Sequence, residues 1–357
     1  EELWKEKGGF NTAKEIYQQP ETWLKTLQIV LEHEDKINQF FNKYEENKRT
    51  RIIFTGAGTS AYVGDIVVPY LNSKMNYRFE SIPTTDIVSN PNLYLERETP
   101  TVMVSFARSG NSPESIATYN LAEQIVDDVS HIFITCNPDG EMARLSSQNE
   151  NILRILMPEE TNDKGFAMTS SFTNMLLASL LTFEIDELAG NKAKVEKLSQ
   201  LAQSIVNSSF EGINEIVDLD YDRFVFLGSG CLKGVARESG LKILELTRGE
   251  TVSTYESMLG FRHGPKSIVN DCTLIFAYMS EDEYTRKYDM DMIKELYGNP
   301  GEHKIITISQ NHDEELERYS HFHWSLSEKM DGLEEVYISI VYIIYAQIFA
   351  LLSSLKS

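Results

Sequence analysis

Two α/β domains built on doubly wound parallel sheets are predicted by one pattern that the chain repeats: a short apolar strand, a glycine-bearing loop, then a helix. Arg51-Ile-Ile-Phe-Thr55 enters Gly56-Ala-Gly58-Thr59-Ser60, and Tyr62, Val63, Ile66, Val67, Tyr70 and Leu71 follow at helical spacing. Thr101-Val-Met-Val-Ser-Phe106 enters Ala107-Arg108-Ser109-Gly110-Asn111-Ser112, with a helix opening near Pro113-Glu114. Arg223-Phe-Val-Phe-Leu227 enters Gly228-Ser229-Gly230 and a further helix. A chain of 357 residues exceeds one ordinary core, so the late recurrence reads as a second domain.

The elements follow in order. Residues 1–50 read as an N-terminal helical arm, with Trp23, Leu24, Leu27, Val30, Leu31, Ile37, Phe40 and Phe41 spacing a helix over 20–48 behind Pro20. A first domain covers 51–190, with further strands at 131–136 and 151–156 and an apolar helix from 169 to 188. The charged stretch 191–218 reads as a helical connector. The second domain, 219–357, adds strands at 272–279, 303–308 and 322–326 and a final helix over 331–354.

Composition narrows the function classes. Fifty-four acidic against 33 basic residues leave a net charge of −21, and no Lys/Arg block offers a footprint for a phosphate backbone, which argues against nucleic acid as a partner. The apolar stretch Val336 to Leu352 is interrupted by Ser339, Tyr342, Tyr345 and Gln347 and reads as a buried helix rather than a membrane span. No secretory signal is visible at Glu1-Glu-Leu-Trp-Lys5, so a cytoplasmic protein is expected. Cys136, Cys231 and Cys272 are too few and too scattered for a disulfide framework or a zinc site. His321-Phe-His323, with His303 and His312, lacks the ligand spacing of zinc catalysis, so no metal is expected.

Gly56-Ala-Gly58-Thr59-Ser60 and Ser109-Gly110-Asn111-Ser112 combine glycine, which lets backbone N–H groups approach a ligand, with hydroxyls at a helix start. Neither is a dinucleotide fingerprint and no lysine follows as in a triphosphate loop, so a phosphate monoester fits best; plain helix capping is the alternative. Such a local device can hold an anion despite the negative net charge. In the second copy, Glu238, Lys242 and Glu245 are spaced four and three apart, which puts two carboxylates and an ammonium on one helical face; His263-Gly264-Pro265 follows. The cluster is either a surface ion-pair ladder or an acid/base site, and the phosphate loops favour the second.

These strings, with Thr169-Ser170-Ser171-Phe-Thr173 and Lys14-Glu-Ile-Tyr-Gln-Gln-Pro20, resemble the tandem sugar isomerase (SIS) domain family over nearly the whole chain. Ser105-Phe-Ala-Arg-Ser-Gly-Asn-Ser-Pro-Glu-Ser115 and Glu256-Ser-Met-Leu-Gly-Phe-Arg-His-Gly-Pro-Lys266 are most similar to its galactosamine-6-phosphate deaminase/isomerase branch, also labelled tagatose-6-phosphate ketose/aldose isomerase. The resemblance implies two flavodoxin-like domains. It implies a sugar phosphate held by Gly58, Thr59, Ser60, Arg108, Ser109, Asn111 and Ser112, with Ser170 and Ser171 as further contacts. Ala107 departs from a serine at its position. Glu245 matches the base that moves a proton between C1 and C2, His263 the ring-opening histidine, and Lys242 and Glu238 supporting positions; Glu256 is a further candidate acid or base. Arg262 reads as a structural partner of a carboxylate. The resemblance also implies a homo-oligomer, a dimer or larger, with an active site shared between subunits.

The chemistry stands beside the resemblance. Ring opening needs a group that gives and takes a proton near neutrality, as histidine does, and proton transfer between adjacent carbons needs a mobile carboxylate with a cation nearby. The expected reaction converts galactosamine 6-phosphate to tagatose 6-phosphate and ammonia with no metal or organic cofactor. Without a glutaminase segment to supply ammonia, release is expected rather than capture. A plain aldose/ketose isomerase, a deglycase of a sugar-amine 6-phosphate and a non-catalytic sugar-phosphate sensor remain as alternatives; no basic helix-turn-helix segment supports the last.

Overall fold

The computed structural model describes residues 2–44, 49–326 and 332–356. The chain forms two compact units: Gln18–Lys164 with Met168–Ser199, and Glu1–Tyr17 with Gly165–Ala167 and Gln200–Ser357.

The first unit holds a sheet of five strands, β1 Arg51–Thr55, β2 Arg78–Ser81, β3 Thr101–Ala107, β4 Val129–Thr135 and β5 Ile152–Leu156, in the order β2-β1-β3-β4-β5. Every pairing is parallel. Its helices include α1 Gln19–Glu32, α2 Thr59–Lys74, α3 Pro113–Ile125 and α4 Ser170–Phe183. The strands β1 and β3 are buried at every position, as expected of a sheet covered on both faces. On one face Ile53, Ile87, Met103, Ala122 and Val126 form a single apolar cluster. Helix α4 is buried along its whole length. It meets α1 through Trp23 Nε1, which donates to Thr173 Oγ1 at 3.0 Å, and Thr26 Oγ1, which donates to Asn174 Oδ1 at 2.7 Å.

The second unit repeats the plan with β6 Arg223–Gly228, β7 Val252–Glu256, β8 Thr273–Tyr278, β9 Lys304–Ser309 and β10 Phe322–Ser325, ordered β10-β9-β8-β6-β7 and again wholly parallel. Helices α5 Cys231–Leu246, α6 Glu283–Tyr297 and α7 Glu335–Ser354 pack with it. Val225, Ile275, Ile293, Ile305 and Leu316 lie in its apolar cluster. Helix α7 is long and apolar enough to cross a membrane, but its apolar window is fully buried inside the unit, so it is the core helix that its interrupting polar residues suggested.

The parallel α/β architecture and the placing of the expected strands agree with the sequence, and four features differ. The helix expected over 20–48 is two, α1 and Glu34–Phe41, separated at His33 (φ −102°, ψ 2°), and residues 45–48 lie outside the described residues. The apolar helix stops at Phe183, and Leu188–Ser208 and Phe210–Val217 follow a short 3-10 turn. The final helix starts at Glu335 rather than 331, which lies outside the described residues. Strands β2 and β7 had no apolar run to reveal them, because both are edge strands with mostly part-exposed residues.

Candidate active site

In the first unit, β1 ends at a loop whose last residue, Gly58, has φ 56° and ψ −129°. That left-handed φ favours glycine, and it turns the chain so that α2 starts at once with Thr59 and Ser60, both nearly fully buried. The loop after β3 is set by its own polar contacts. Gly110 has φ 66°, Asn137 Nδ2 donates to the Ser109 carbonyl at 2.9 Å, and the Asn111 N–H donates to Ser109 Oγ at 3.3 Å. Ser112 caps α3, accepting from the Ser115 N–H at 3.3 Å and donating to Ser115 Oγ at 2.6 Å. Asn111 Oδ1 accepts from the Glu141 N–H at 2.8 Å. Ser109, Ser112 and Arg108 are half-buried and Asn111 is exposed. The loop therefore presents a fixed main chain at the carboxyl ends of β1 and β3, where the strand order reverses and doubly wound sheets take ligands.

Ser170 and Ser171 open α4 with no solvent exposure. Both hydroxyls donate to Asp163: Ser170 Oγ to Oδ1, and Ser171 Oγ to Oδ2 at 2.6 Å, while the N–H groups of Thr169 and Ser171 reach Oδ2 at 2.9 and 2.8 Å. Asp163 is thus the cap of α4, and the two serines, expected as ligand contacts, have their protons committed to it. Burial pushes the neighbouring Cys136 thiol up to about 12, with Asp163 adding to the shift and the Arg108 charge opposing it.

In the second unit Gly230 has φ 56° and ψ −128°, and α5 starts from it. Glu238 and Lys242 are 0% exposed, whereas the Glu245 side chain keeps 25% of its surface. Lys242 Nζ lies 3.2 Å from Glu238 Oε1 and 2.5 Å from Glu245 Oε2. Burial works to lower the Lys242 pKa, but Glu238 and Glu245 together outweigh it and raise the pKa above its usual value, so the ammonium stays charged. The sequence reading expected a cation near the mobile carboxylate, with Lys242 in a supporting position. Its burial places it behind Glu245, which is the member of the cluster that meets solvent.

Glu256 closes β7 and is drawn into contacts of its own: Lys233 Nζ at 2.9 Å and the Ser257 N–H at 2.7 Å, both to Oε1. The Lys233 ammonium holds its carboxyl below the usual range against the effect of burial. Ser257 caps the short helix Met258–Arg262, accepting from the Gly260 N–H at 3.1 Å, and His263 ends it with an exposed ring. Among the described residues the His263 imidazole has no hydrogen-bond partner. Arg262 Nε pairs with Glu295 Oε2 at 2.7 Å, the structural role expected of it.

The SIS domain model matches residues 46–185. Over 354 residues the chain is 42% identical to the D-galactosamine-6-phosphate deaminase AgaS of Shewanella sp. (strain ANA-3), covering 98% of this chain and 86% of the relative. It is 39% identical to the D-galactosamine-6-phosphate deaminase AgaS of Escherichia coli O157:H7, over 96% of this chain and 88% of that one. The chain belongs to the SIS domain family. Among solved structures, the tagatose-6-phosphate ketose/aldose isomerase of Escherichia coli superposes with a TM-score of 0.93 at 38% identity, covering 98% of this SIS protein and 93% of that chain. The C-terminal domain of the glucosamine-fructose-6-phosphate aminotransferase of Francisella tularensis shares the fold, with a TM-score of 0.79 at 18% identity over 96% of this chain and 95% of that one.

Two residues of this SIS protein escaped the sequence reading. Asp163 had a signal, an acid shortly before a helix that opens Thr-Ser-Ser, where a carboxylate suits the helix dipole. Lys233 had none, because its pairing with Glu256 joins α5 to the unrecognised strand β7. His321 and His323, singled out by sequence, are tied into the sheet: His321 Nδ1 accepts from the Ile305 N–H at 3.1 Å and His323 Nε2 from the Asp313 N–H at 3.3 Å.

Proposed function

We propose that this protein is an amino-sugar-phosphate deaminase/isomerase that converts galactosamine 6-phosphate to tagatose 6-phosphate and ammonia. The observation that carries the reading is the buried Lys242 held between Glu238 and Glu245, in a chain 42% identical to a galactosamine-6-phosphate deaminase over 98% of its length. Gly58, Thr59, Ser60, Arg108, Ser109, Asn111 and Ser112 hold the phosphate, with Ser170 and Ser171 supporting that end through Asp163.

His263 moves the proton that opens the sugar ring, for which an exposed imidazole is suited. Glu245 takes the C2 proton of the open-chain aldehyde and returns it to C1, while a proton passes from the amine nitrogen to O1, so that the aldehyde becomes an alcohol and the C2 amine an imine. Water then adds at C2 and ammonia leaves, giving the ketose. Lys242 aims Glu245 through their ion pair, and Glu238 balances the buried ammonium. Glu256, ionised beside Lys233, serves as an acceptor rather than an acid. These steps need no metal or organic cofactor. A homo-oligomer, dimer or larger, whose subunits share the site belongs to the same reading, as does a cytoplasmic location, which suits a phosphorylated substrate.

Ammonia release from galactosamine 6-phosphate, glucosamine 6-phosphate and their N-acetylated forms tests the reaction. Release from the free galactosamine ester is expected, and no release from any free amino sugar phosphate would overturn it. The second reading, aldose/ketose isomerisation of tagatose 6-phosphate, is favoured by the name of the Escherichia coli structural relative, and would show as interconversion without ammonia.

A further inference from the structure

The second sheet has its own switch point, between β6 and β8, the counterpart of the β1/β3 crevice of the first. The backbone is repeated there, since Gly230 and Gly58 agree within a degree in both dihedrals. The side chains are not repeated. Cys231 and Leu232 stand after Gly230 where Thr59 and Ser60 follow Gly58, and Met279-Ser280-Glu281-Asp282 follows β8 where the hydroxyl-rich loop follows β3.

Into this crevice the chain inserts two of its own carboxylates. Asp289 of α6 is fully buried; its Oδ1 accepts from the Ser229 hydroxyl at 2.6 Å and its Oδ2 from the Ser280 N–H at 3.0 Å. Glu335, at the start of α7, accepts from the Glu281 N–H at 3.1 Å through Oε2, and Oε1 receives the Cys231 thiol at 3.5 Å. Each carboxylate therefore links the β6–α5 corner to the loop after β8, the two segments that flank the switch-point crevice where doubly wound sheets take ligands. Burial raises the pKa of both acids, and the hydroxyl and N–H donors of Ser229, Ser280 and Glu281 oppose that rise.

We propose that the side-chain carboxyl groups of Asp289 and Glu335 fill the ligand crevice of the second sheet in place of a phosphate and so position the start of α5, the helix carrying Glu238, Lys242 and Glu245. They are positioning residues, acting through Ser229 and Cys231 at the two ends of the Gly230 turn. This sheet consequently takes no sugar phosphate of its own. The effect on turnover rests on the proposed function; the filling of the crevice does not.

The test uses the full chain with Asp289→Ala and Ser229→Ala. Formate, a carboxylate small enough for the vacated space, is expected to raise the unfolding midpoint of Asp289→Ala by several degrees, while equal sodium chloride does not and the wild type does not respond. Turnover of galactosamine 6-phosphate by Asp289→Ala is expected to fall about tenfold at unchanged KM and to recover in formate, since a small misplacement of catalytic groups costs this much or more. Ser229→Ala keeps the acid and loses one link, so it should lower kcat with KM held, without a response to formate. A midpoint of Asp289→Ala indifferent to formate, or a KM that rises with kcat unchanged in Ser229→Ala, overturns the proposal. Should the wild type release no ammonia, the reaction assigned to the protein fails, and the formate-dependent midpoint still decides the role of Asp289.

Discussion

Glu238 and Lys242 face each other one helical turn apart with no solvent exposure on either, Oε1 lying 3.2 Å from Nζ. A pair so buried is costly to desolvate and costlier still to break, because the surviving charge is left in a low-dielectric interior. Lys242→Met is therefore expected to destabilise the second unit by about 3–5 kcal/mol, the usual cost of orphaning one member of a buried pair. Urea unfolding monitored on that unit checks it, and a loss under about 1 kcal/mol would mean that the pair contributes no more than an exposed one.

Glu245 keeps a quarter of its side-chain surface, so its removal leaves the Glu238–Lys242 pair intact. Glu245→Gln should bind galactosamine 6-phosphate as the wild type does, while ammonia release falls about 10²–10⁴-fold, the range spanned by a single acid/base group. Calorimetric binding beside an ammonia assay separates the two quantities. Wild-type release by this variant would remove Glu245 from the mechanism.

Asp163 gathers two N–H groups and two hydroxyls at the start of α4. Four bonds that share one carboxylate do not add, so Asp163→Ala should cost the first unit on the order of 3 kcal/mol, the upper value for a single bond to a charged acceptor, while Asp163→Asn, which keeps part of the set, should cost less. Equilibrium denaturation of the two variants gives the comparison, and equal losses would argue against the carboxylate as the cap.

Glu256 has its pKa lowered from 4.5 chiefly by Lys233. A depressed carboxyl contributes stability that is complete above the unfolded value and disappears as pH falls through the folded value. The stability gap between the wild type and Lys233→Met should therefore be present at neutral pH and close on acidification below about pH 4.5, the ordinary glutamate value. A gap that persists at pH 2 would assign the loss to the packing of the lysine stem instead.

How far the sequence could reach depended on whether a feature was written in local order. The strand, glycine loop and helix at Arg51 to Leu71, and again at Arg223 to Leu246, are contiguous, so periodicity and turn chemistry located them. The Glu238, Lys242 and Glu245 face followed from helical spacing alone. What the spacing could not tell was depth: that Lys242 is sealed behind Glu245 depends on the strands and on α7 packed around α5, which are remote in sequence. Asp289 reaching back to Ser229 is likewise a partnership across the chain, sixty residues apart. The edge strands β2 and β7 went unseen for a different reason, because neither buries an apolar run.

Among the described residues all eight strand pairings are parallel, so none of these strands reaches its neighbour through a tight hairpin. Strand β1 must wait for β3, which starts at Thr101, and β6 for β8, which starts at Thr273, before either sheet gains its central ladder. Each unit thus postpones its reward until distant segments have been synthesised and brought together, which makes assembly slow for its size. During that interval the apolar strands are unpaired, and the growing chain is most exposed to self-association before the ladders close.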